Sequence, residues 1–324
     1  MNFFKRLRLF IKWLFIALSI MIFILFIVAY LFPVNWEEPK TNPYPDSHIL
    51  NFNKTNYHYR LLTPDTIVQK AIFIHGFSAS TFSFNKTIDS LYKSNTQIIA
   101  IDVPGFGYSD KSKRANYTDT NFVNAIHFLI NEIDDNNSSL KWHVIGHSMG
   151  ASLAGKFTSK YPHDVASLIF IDGLPFADKH KWTQKLILFP PLLKLADFGL
   201  KRIFLKPKKF NQLLSSAYSQ QADSVSIYGY MNPFKIKGSG SGVFRYFAHS
   251  GYAKTDTAIL NTKQQLVIWG SKDTWIPIKT ADKYKLQKQV TFIEVNNAGH
   301  CPMETHPKIV NEAILNFISK LDAK

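Results

Sequence analysis

The sequence predicts an α/β protein: a mostly parallel sheet with helices on both faces, interrupted by a helical insertion and preceded by one membrane-spanning helix. Three observations predict it. Runs of branched and aromatic residues, several apolar on successive positions, recur along the chain and mark strands buried on both faces. Amphipathic helical patterns alternate with those runs, the arrangement that builds right-handed strand–helix–strand crossovers. One uncharged stretch of twenty residues, Trp13 to Phe32, stands near the N-terminus.

As a helix at 1.5 Å per residue, that stretch reaches about 30 Å, the thickness of a bilayer's hydrocarbon. Lys5, Arg6, Arg8 and Lys12 precede it; Glu37 and Glu38 follow. The positive-inside rule therefore puts the basic segment 1–12 in the cytoplasm and everything beyond residue 32 across the membrane. A cleaved signal peptide is the rival reading. The run is longer than the ~7–15 apolar residues of such a segment, and Tyr30 makes Val28-Ala29-Tyr30 a poor small-x-small cleavage site. Residues 33–46 carry four prolines and predict an extended, semi-rigid spacer.

The α/β core is expected over 47–173 and 263–324. His48–Phe52 and Tyr57–Leu62 read as a leading pair of strands. Ala71–Ile74, Gln97–Asp102, Trp142–Ile145, Ser167–Asp172, Leu266–Trp269 and Val290–Val295 follow. Between them, Asn121–Ile133 gathers Phe122, Ile126, Leu129, Ile130 and Ile133 on one stripe, and Lys308–Leu321 repeats the pattern with Ile309, Ala313, Phe317 and Leu321. Alternation stops over 174–262, where helical patterns succeed one another without a clear strand. Such an interval predicts a helical cap inserted after one strand.

At 46% hydrophobic and 19% charged, the 324 residues exclude a disordered or low-complexity chain. Lys and Arg number 38 against 23 acids, a net +15, which raises nucleic acid or an anionic membrane surface as a partner. No helix-turn-helix, zinc or RNA-binding signature accompanies the charge, so nucleic acid is not expected. Cys301 is the sole cysteine, which excludes an intramolecular disulfide and every cysteine-based metal cluster.

The chemistry concentrates at Gly146-His147-Ser148-Met149-Gly150, a G-x-S-x-G. A buried strand runs straight into it and a small-residue helix start (Ala151, Ser152, Ala154, Gly155) follows. A serine on such a turn has strained backbone angles, and flanking glycines keep its neighbours from clashing. Its Oγ stands above the sheet's C-terminal edge, where the helix aims free N–H groups and its positive dipole end.

In these residues the chain resembles the α/β-hydrolase family, over most of Ala71 to Leu321; within 174–262 no subfamily signature is recognisable. The resemblance implies the chain order serine, acid, histidine. Asp273 falls just past the strand Leu266–Trp269, and His300 lies in the loop after Val290–Val295, so both belong to the edge that bears Ser148. His300 then takes the Ser148 proton while Asp273 holds the other ring nitrogen. Asp172 ends a strand as well, and some members of the family place the acid there; it is the alternative acid. Ile74-His75-Gly76-Phe77 resembles the family's oxyanion loop, which implies the backbone N–H groups of Phe77 and Met149 as oxyanion donors. His75 is expected to brace that loop; His127, His143 and His163 are expected to be structural. Dehalogenases and epoxide hydrolases carry an acid where this chain has Ser148, so neither activity is expected.

The insertion holds thirteen Lys or Arg against four acids between 174 and 260, interleaved with Leu186–Leu193 and Ile203–Leu205. On a helix starting near Leu192, Lys194, Asp197 and Lys201 form one polar stripe. Two readings stand: a cap whose apolar face packs on the core with its lysines in water, and a basic amphipathic surface facing an anionic bilayer. Gly238-Ser239-Gly240-Ser241-Gly242 reads as a flexible loop; without a following Gly-Lys it is no phosphate cradle.

Together these features predict a membrane-anchored serine hydrolase that cleaves carboxylic esters of apolar, lipid-like substrates through an acyl-enzyme. The implied likeness is to esterases and monoacylglycerol-lipase-like members of the family. No metal or organic cofactor is required. A C–C bond hydrolase, thioesterase, lactonase or amidase on the same three residues, or a non-catalytic ligand-binding descendant, are the alternatives.

Overall fold

The computed structural model describes residues 3–31, 35–38, 42–134, 139–176, 182–251 and 253–322. Eight strands, β1 (Ser47–Phe52), β2 (Thr55–Leu62), β3 (Gln69–Ile74), β4 (Thr96–Ile101), β5 (Trp142–His147), β6 (Val165–Ile171), β7 (Gln264–Gly270) and β8 (Val290–Val295), form one sheet. Their order is β1-β2-β4-β3-β5-β6-β7-β8. Strand β2 is antiparallel to β1 and β4, and every other pair is parallel. The eight runs of branched residues in the sequence are these eight strands. The central ones are buried along their whole length, as continuous apolar runs require.

The helices are α1 (Phe3–Leu31), α2 (Asn85–Tyr92), α3 (Asp119–Ile133), α4 (Met149–Lys160), α5 (Pro190–Gly199), α6 (Pro207–Tyr218), α7 (Ser224–Met231), α8 (Ser239–His249), α9 (Thr257–Leu260), α10 (Pro302–Thr305) and α11 (Pro307–Asp322). On one face of the sheet, Phe122 and Ile126 of α3 join Leu153 and Phe157 of α4 against β5 and β6. The buried pair Lys156 Nζ–Asp119 Oδ2, 2.7 Å, fastens α4 to α3. On the other face, Ile88 and Leu91 of α2 and Val310, Ile314 and Phe317 of α11 share a cluster with Phe210 and Leu214 of α6 and Ile227 and Tyr230 of α7. Each such side chain contributes about 1.5–3 kcal/mol on burial. Helices α6 and α7 of the insertion are therefore packed on the core.

Three details differ from the sequence reading. Helix α1 begins at Phe3, not Trp13, and carries Lys5, Arg6, Arg8 and Lys12 on its first turns. Its 29 residues span about 44 Å, more than the hydrocarbon needs, so the basic turns extend past the apolar part. The stretch Phe4–Leu31 is long and apolar enough to cross a membrane. Second, the Gly-Ser run is not a loop: it opens α8. A Cβ on Gly240 would stand 2.4 Å from the Ala196 carbonyl oxygen of α5, so this glycine permits two helices to touch backbone to backbone. Third, the polar stripe of Lys194 and Asp197 on α5 and Lys201 just beyond it is in contact with neighbouring segments, while Lys194 stays exposed. Lys194 Nζ lies 5.8 Å above the Tyr30 ring of α1 and Lys201 Nζ 5.4 Å above Trp36, while Asp197 Oδ1 accepts the Ser241 N–H at 2.8 Å.

The spacer is partly docked as well, since the Glu37 N–H donates to the Lys235 carbonyl at 3.0 Å. Residues 1, 2, 32–34, 39–41, 135–138, 177–181, 252, 323 and 324, which include ends of the anchor, spacer, cap and core expected above, lie outside the described residues.

Candidate active site

Strand β5 ends at His147 and α4 starts at Met149, leaving Ser148 alone on the turn with φ +51° and ψ −118°. Non-glycine residues avoid that region, at a cost on the order of 1–3 kcal/mol. The crowding explains the glycines. A Cβ on Gly150 would stand 2.0 Å from the Ile74 carbonyl oxygen, and one on Gly146 2.4 Å from that of Gly150. One on Gly173 would stand 2.6 Å from the Ser148 carbonyl oxygen. Ser148 is thus held from both adjacent strands, and its N–H donates to the Ile171 carbonyl of β6 at 2.9 Å.

Asp273 and His300 leave the ends of β7 and β8 toward the same edge. His300 Nε2 lies 2.9 Å from Ser148 Oγ, and His300 Nδ1 lies 2.7 Å from Asp273 Oδ2. The second Asp273 oxygen accepts the N–H groups of Trp275 and Ile276 at 2.8 and 2.9 Å. Burial would raise this carboxyl, but the hydrogen bond and charge of His300, with the two backbone donors, outweigh it and hold its pKa below the ordinary carboxylate value. The Trp275 ring stacks on the His300 ring, centroids 5.5 Å apart.

The histidine loop has two further supports that the sequence reading did not assign. His147, the variable position of the motif, donates its Nε2–H to the His300 carbonyl at 2.8 Å. Burial and the neighbouring His300 push its pKa down to about 3, so it stays a neutral donor. From the insertion, the Ala217 carbonyl of α6 accepts the His300 N–H at 2.7 Å. A glycine-x-serine motif does not reveal what its x contacts.

The loop after β3 lies against the serine: a Cβ on Gly76 would come within 3.1 Å of Ser148 Cβ. His75 fixes that loop, with Nδ1 donating to the Gly76 carbonyl at 2.7 Å and Nε2 accepting the Val103 N–H at 3.0 Å. Met149 is the first residue of α4, where an N–H has no intrahelical acceptor. The Phe77 N–H likewise meets no backbone acceptor among the described residues. Phe77, Phe106, Tyr246 and Phe247 form a chain of ring contacts at 5.1–6.2 Å running from this loop to α8. Phe77 and Phe247 keep 40% of their surface exposed.

Asp172, at the end of β6, does not bond His300. It has φ +43°, is fully buried, and accepts the Gly270 N–H on Oδ1 at 2.9 Å. His127 is paired with Asp164 and His143 with Ser167, structural contacts as expected. A second Ser–His–Asp chain exists elsewhere: Ser47 Oγ is 2.9 Å from His58 Nε2, and His58 Nδ1 is 2.8 Å from Asp102 Oδ2. A cavity of about 1240 Å³ between Tyr30, Trp36, Tyr108, Lys194 and Arg245 includes none of Ser148, Asp273 and His300 in its walls.

Known proteins bear on this arrangement. The alpha/beta hydrolase fold family matches residues 72–307. An uncharacterized hydrolase, YugF, of Bacillus subtilis is 26% identical over 254 residues, covering 77% of this chain and 90% of that protein. The monoacylglycerol lipase ABHD6 of Rattus norvegicus is 23% identical over 272 residues, covering 77% and 75%. Among solved structures, a bacterial membrane phospholipase A superposes with a TM-score of 0.62 at 18% identity, over 99% of this chain and 100% of that one.

Proposed function

The chain belongs to the α/β-hydrolase family, and from that premise we propose that it is a serine hydrolase cleaving carboxylic esters of apolar, lipid-like substrates from a membrane-anchored position. The observation that carries the reading is the unbroken Asp273–His300–Ser148 chain at a strained strand-to-helix turn. Ser148 Oγ attacks the ester carbonyl carbon and its proton passes to His300 Nε2. Asp273 holds Nδ1–H and stabilises the imidazolium. The N–H groups of Phe77 and Met149 receive the developing oxyanion, each donor worth about 2.7–4 kcal/mol in the transition state. The proton then goes to the departing alkoxide, leaving an acyl-serine that water cleaves by the reverse relay.

An apolar substrate is favoured by the exposed Phe77, on the loop against the serine, and by the exposed Phe247 in ring contact with it; such rings bind acyl chains through area, not through hydrogen bonds. The names of similar proteins, a monoacylglycerol lipase and a membrane phospholipase A, agree with lipid esters. The catalytic core spans 47–173 and 263–324 and the cap 174–262. Helix α1 anchors the chain, with the basic N-terminus in the cytoplasm and the catalytic domain outside it.

A fluorophosphonate probe should label the wild-type protein and not Ser148→Ala, with p-nitrophenyl esters of medium or long chain preferred to acetate. An unlabelled wild type, or labelling that survives Ser148→Ala, would defeat the catalytic reading. Protease added to spheroplasts should digest the domain; full protection would reverse the orientation.

A further inference from the structure

The carboxyl of Asp172 is out of place in a site whose acid is Asp273. One oxygen is satisfied by the Gly270 N–H; the other, Oδ2, is shielded from solvent and has no hydrogen-bond partner. The side chain is held there by a residue with φ +43°, a conformation that non-glycine residues rarely adopt. One carboxylate oxygen each of Asp172 and Asp273 and one ring nitrogen of His300 lie within 4.8 Å of one another. An anionic Oδ2 in that position would be a buried, unpaired charge beside a second carboxylate, an arrangement that like charges strongly disfavour. A protonated Oδ2 becomes a donor, and the acceptor beside it is Asp273.

We infer that Asp172 carries a proton on Oδ2 and donates it in a hydrogen bond to the Asp273 carboxylate, so that a carboxyl–carboxylate pair with one negative charge orients His300. This rests on the proposed catalytic role of Ser148, His300 and Asp273. Asp172 is in this account a positioning residue: it steers the Asp273 carboxylate, whose other contacts are His300 Nδ1 and the Trp275 and Ile276 N–H groups. The charge environment agrees. Burial, followed by the neighbouring Asp273, raises the Asp172 carboxyl well above its ordinary range, against a lowering only from the Gly270 N–H. The groups that face it are Asp273 from the loop after β7 and His300 and Cys301 from the loop after β8, where the Cys301 thiol is itself kept protonated by burial.

The pair also has a reserve function. With Asp273 replaced by a neutral residue, Asp172 is the remaining acid near the imidazolium, and the proton it held has no anion to bridge. It then ionises and supplies part of the lost charge.

Three variants of the full-length protein and one spectrum test this. Asp172→Ala should lower kcat/KM for a p-nitrophenyl ester about tenfold, the effect of one hydrogen bond to a charged group. Asp172→Asn, which keeps an N–H donor toward Asp273, should recover most of that loss and leave the acid limb of the pH–kcat/KM profile where it was. Asp273→Asn with Asp172→Asn should fall well below Asp273→Asn alone. The wild-type-minus-Asp172→Asn infrared difference spectrum at neutral pH should contain the C=O band of a protonated carboxyl. An acid limb displaced by about one pH unit in Asp172→Asn, or no protonated carboxyl band, would show that Asp172 is ionised and overturn the inference. The infrared readout does not depend on turnover, so it answers even if Asp172→Ala fails to fold. Failure of the catalytic reading itself appears separately, as an unlabelled wild type in the fluorophosphonate experiment.

Discussion

Ser148–His300–Asp273 and Ser47–His58–Asp102 have nearly the same internal distances, 2.9 and 2.7 Å against 2.9 and 2.8 Å, yet only the first has the setting that the proposed chemistry needs. The difference lies in what surrounds each serine. Ser148 sits at φ +51° on the N-terminus of α4, with the loop carrying Phe77 pressed against it. Ser47 opens an edge strand in regular antiparallel pairing, and its Oγ already accepts the Tyr44 N–H at 3.0 Å. His58 is wholly buried. Asp102 spends its oxygens on the Thr81 and Tyr108 N–H groups as well as on His58. The second chain ties β1, β2 and the loop after β4 together. Three residue types in hydrogen-bond contact do not define an active site; a free nucleophile and donors for the charge that develops do.

The largest expected effect is on turnover. Ser148→Ala should lower kcat roughly a millionfold, as removal of a catalytic serine does, measured with a chromogenic ester. Residual burst kinetics from Ser47 in that variant would break the contrast between the two chains.

Asp102→Ala should act on stability, costing about 3–5 kcal/mol by leaving the buried Nδ1 of His58 and two N–H groups unpaired, read as a fall in the denaturation midpoint. Burial alone would raise Asp102, but its hydrogen bond with His58, the electrostatic influence of the two neighbouring histidine rings and the Tyr108 N–H hold its pKa below the ordinary value. The folded state therefore binds this proton less readily than the unfolded one. The stabilisation is present above the unfolded carboxylate pKa and is lost as pH falls through the folded one.

Glu304 should show the opposite slope. It accepts hydrogen bonds from the hydroxyls of Tyr218 and Tyr230, from α6 and α7, so it joins the insertion to α10, directly after the loop that carries His300. Burial raises its pKa to about 7, against the hydrogen bonds of the two tyrosines and the charge of Lys86. A raised carboxyl binds its proton more tightly in the folded state, so its contribution is complete below the unfolded value and fades as pH climbs through 7. Glu304→Gln should flatten stability between about pH 4.5 and 7, removing a loss on the order of 3 kcal/mol; an unchanged slope would assign the proton elsewhere.

The contrast also explains what the sequence made legible. The strands were readable because a two-sided buried strand must be apolar on consecutive residues, and Ser148, Asp273 and His300 were readable because each follows such a strand at one sheet edge. His147 and Ala217 were not, since their contacts with His300 join segments that no local pattern relates. Helix α8 was hidden because glycine usually marks a loop; here Gly240 is needed for the approach of α5. Helix α2 is short and mostly polar along its length, with only Thr87, Ile88 and Leu91 buried, too little periodicity to read.

The smallest expected effect is the sharpest test of the contrast. Ser47→Ala removes one hydroxyl and leaves the Tyr44 N–H and His58 Nε2 without their partner. Ser47 is half-buried, so water can replace part of what is lost, and the cost should be about 1 kcal/mol. Because Ser47 touches neither Ser148 nor the loops that carry Asp273 and His300, kcat/KM should stay at the wild-type value while the denaturation midpoint falls slightly. A fall in kcat/KM with the midpoint unchanged would mean that the Ser47–His58–Asp102 chain acts on turnover, through the Asp102 contact with the Thr81 N–H beyond the oxyanion loop. The two chains would then be coupled parts of one site.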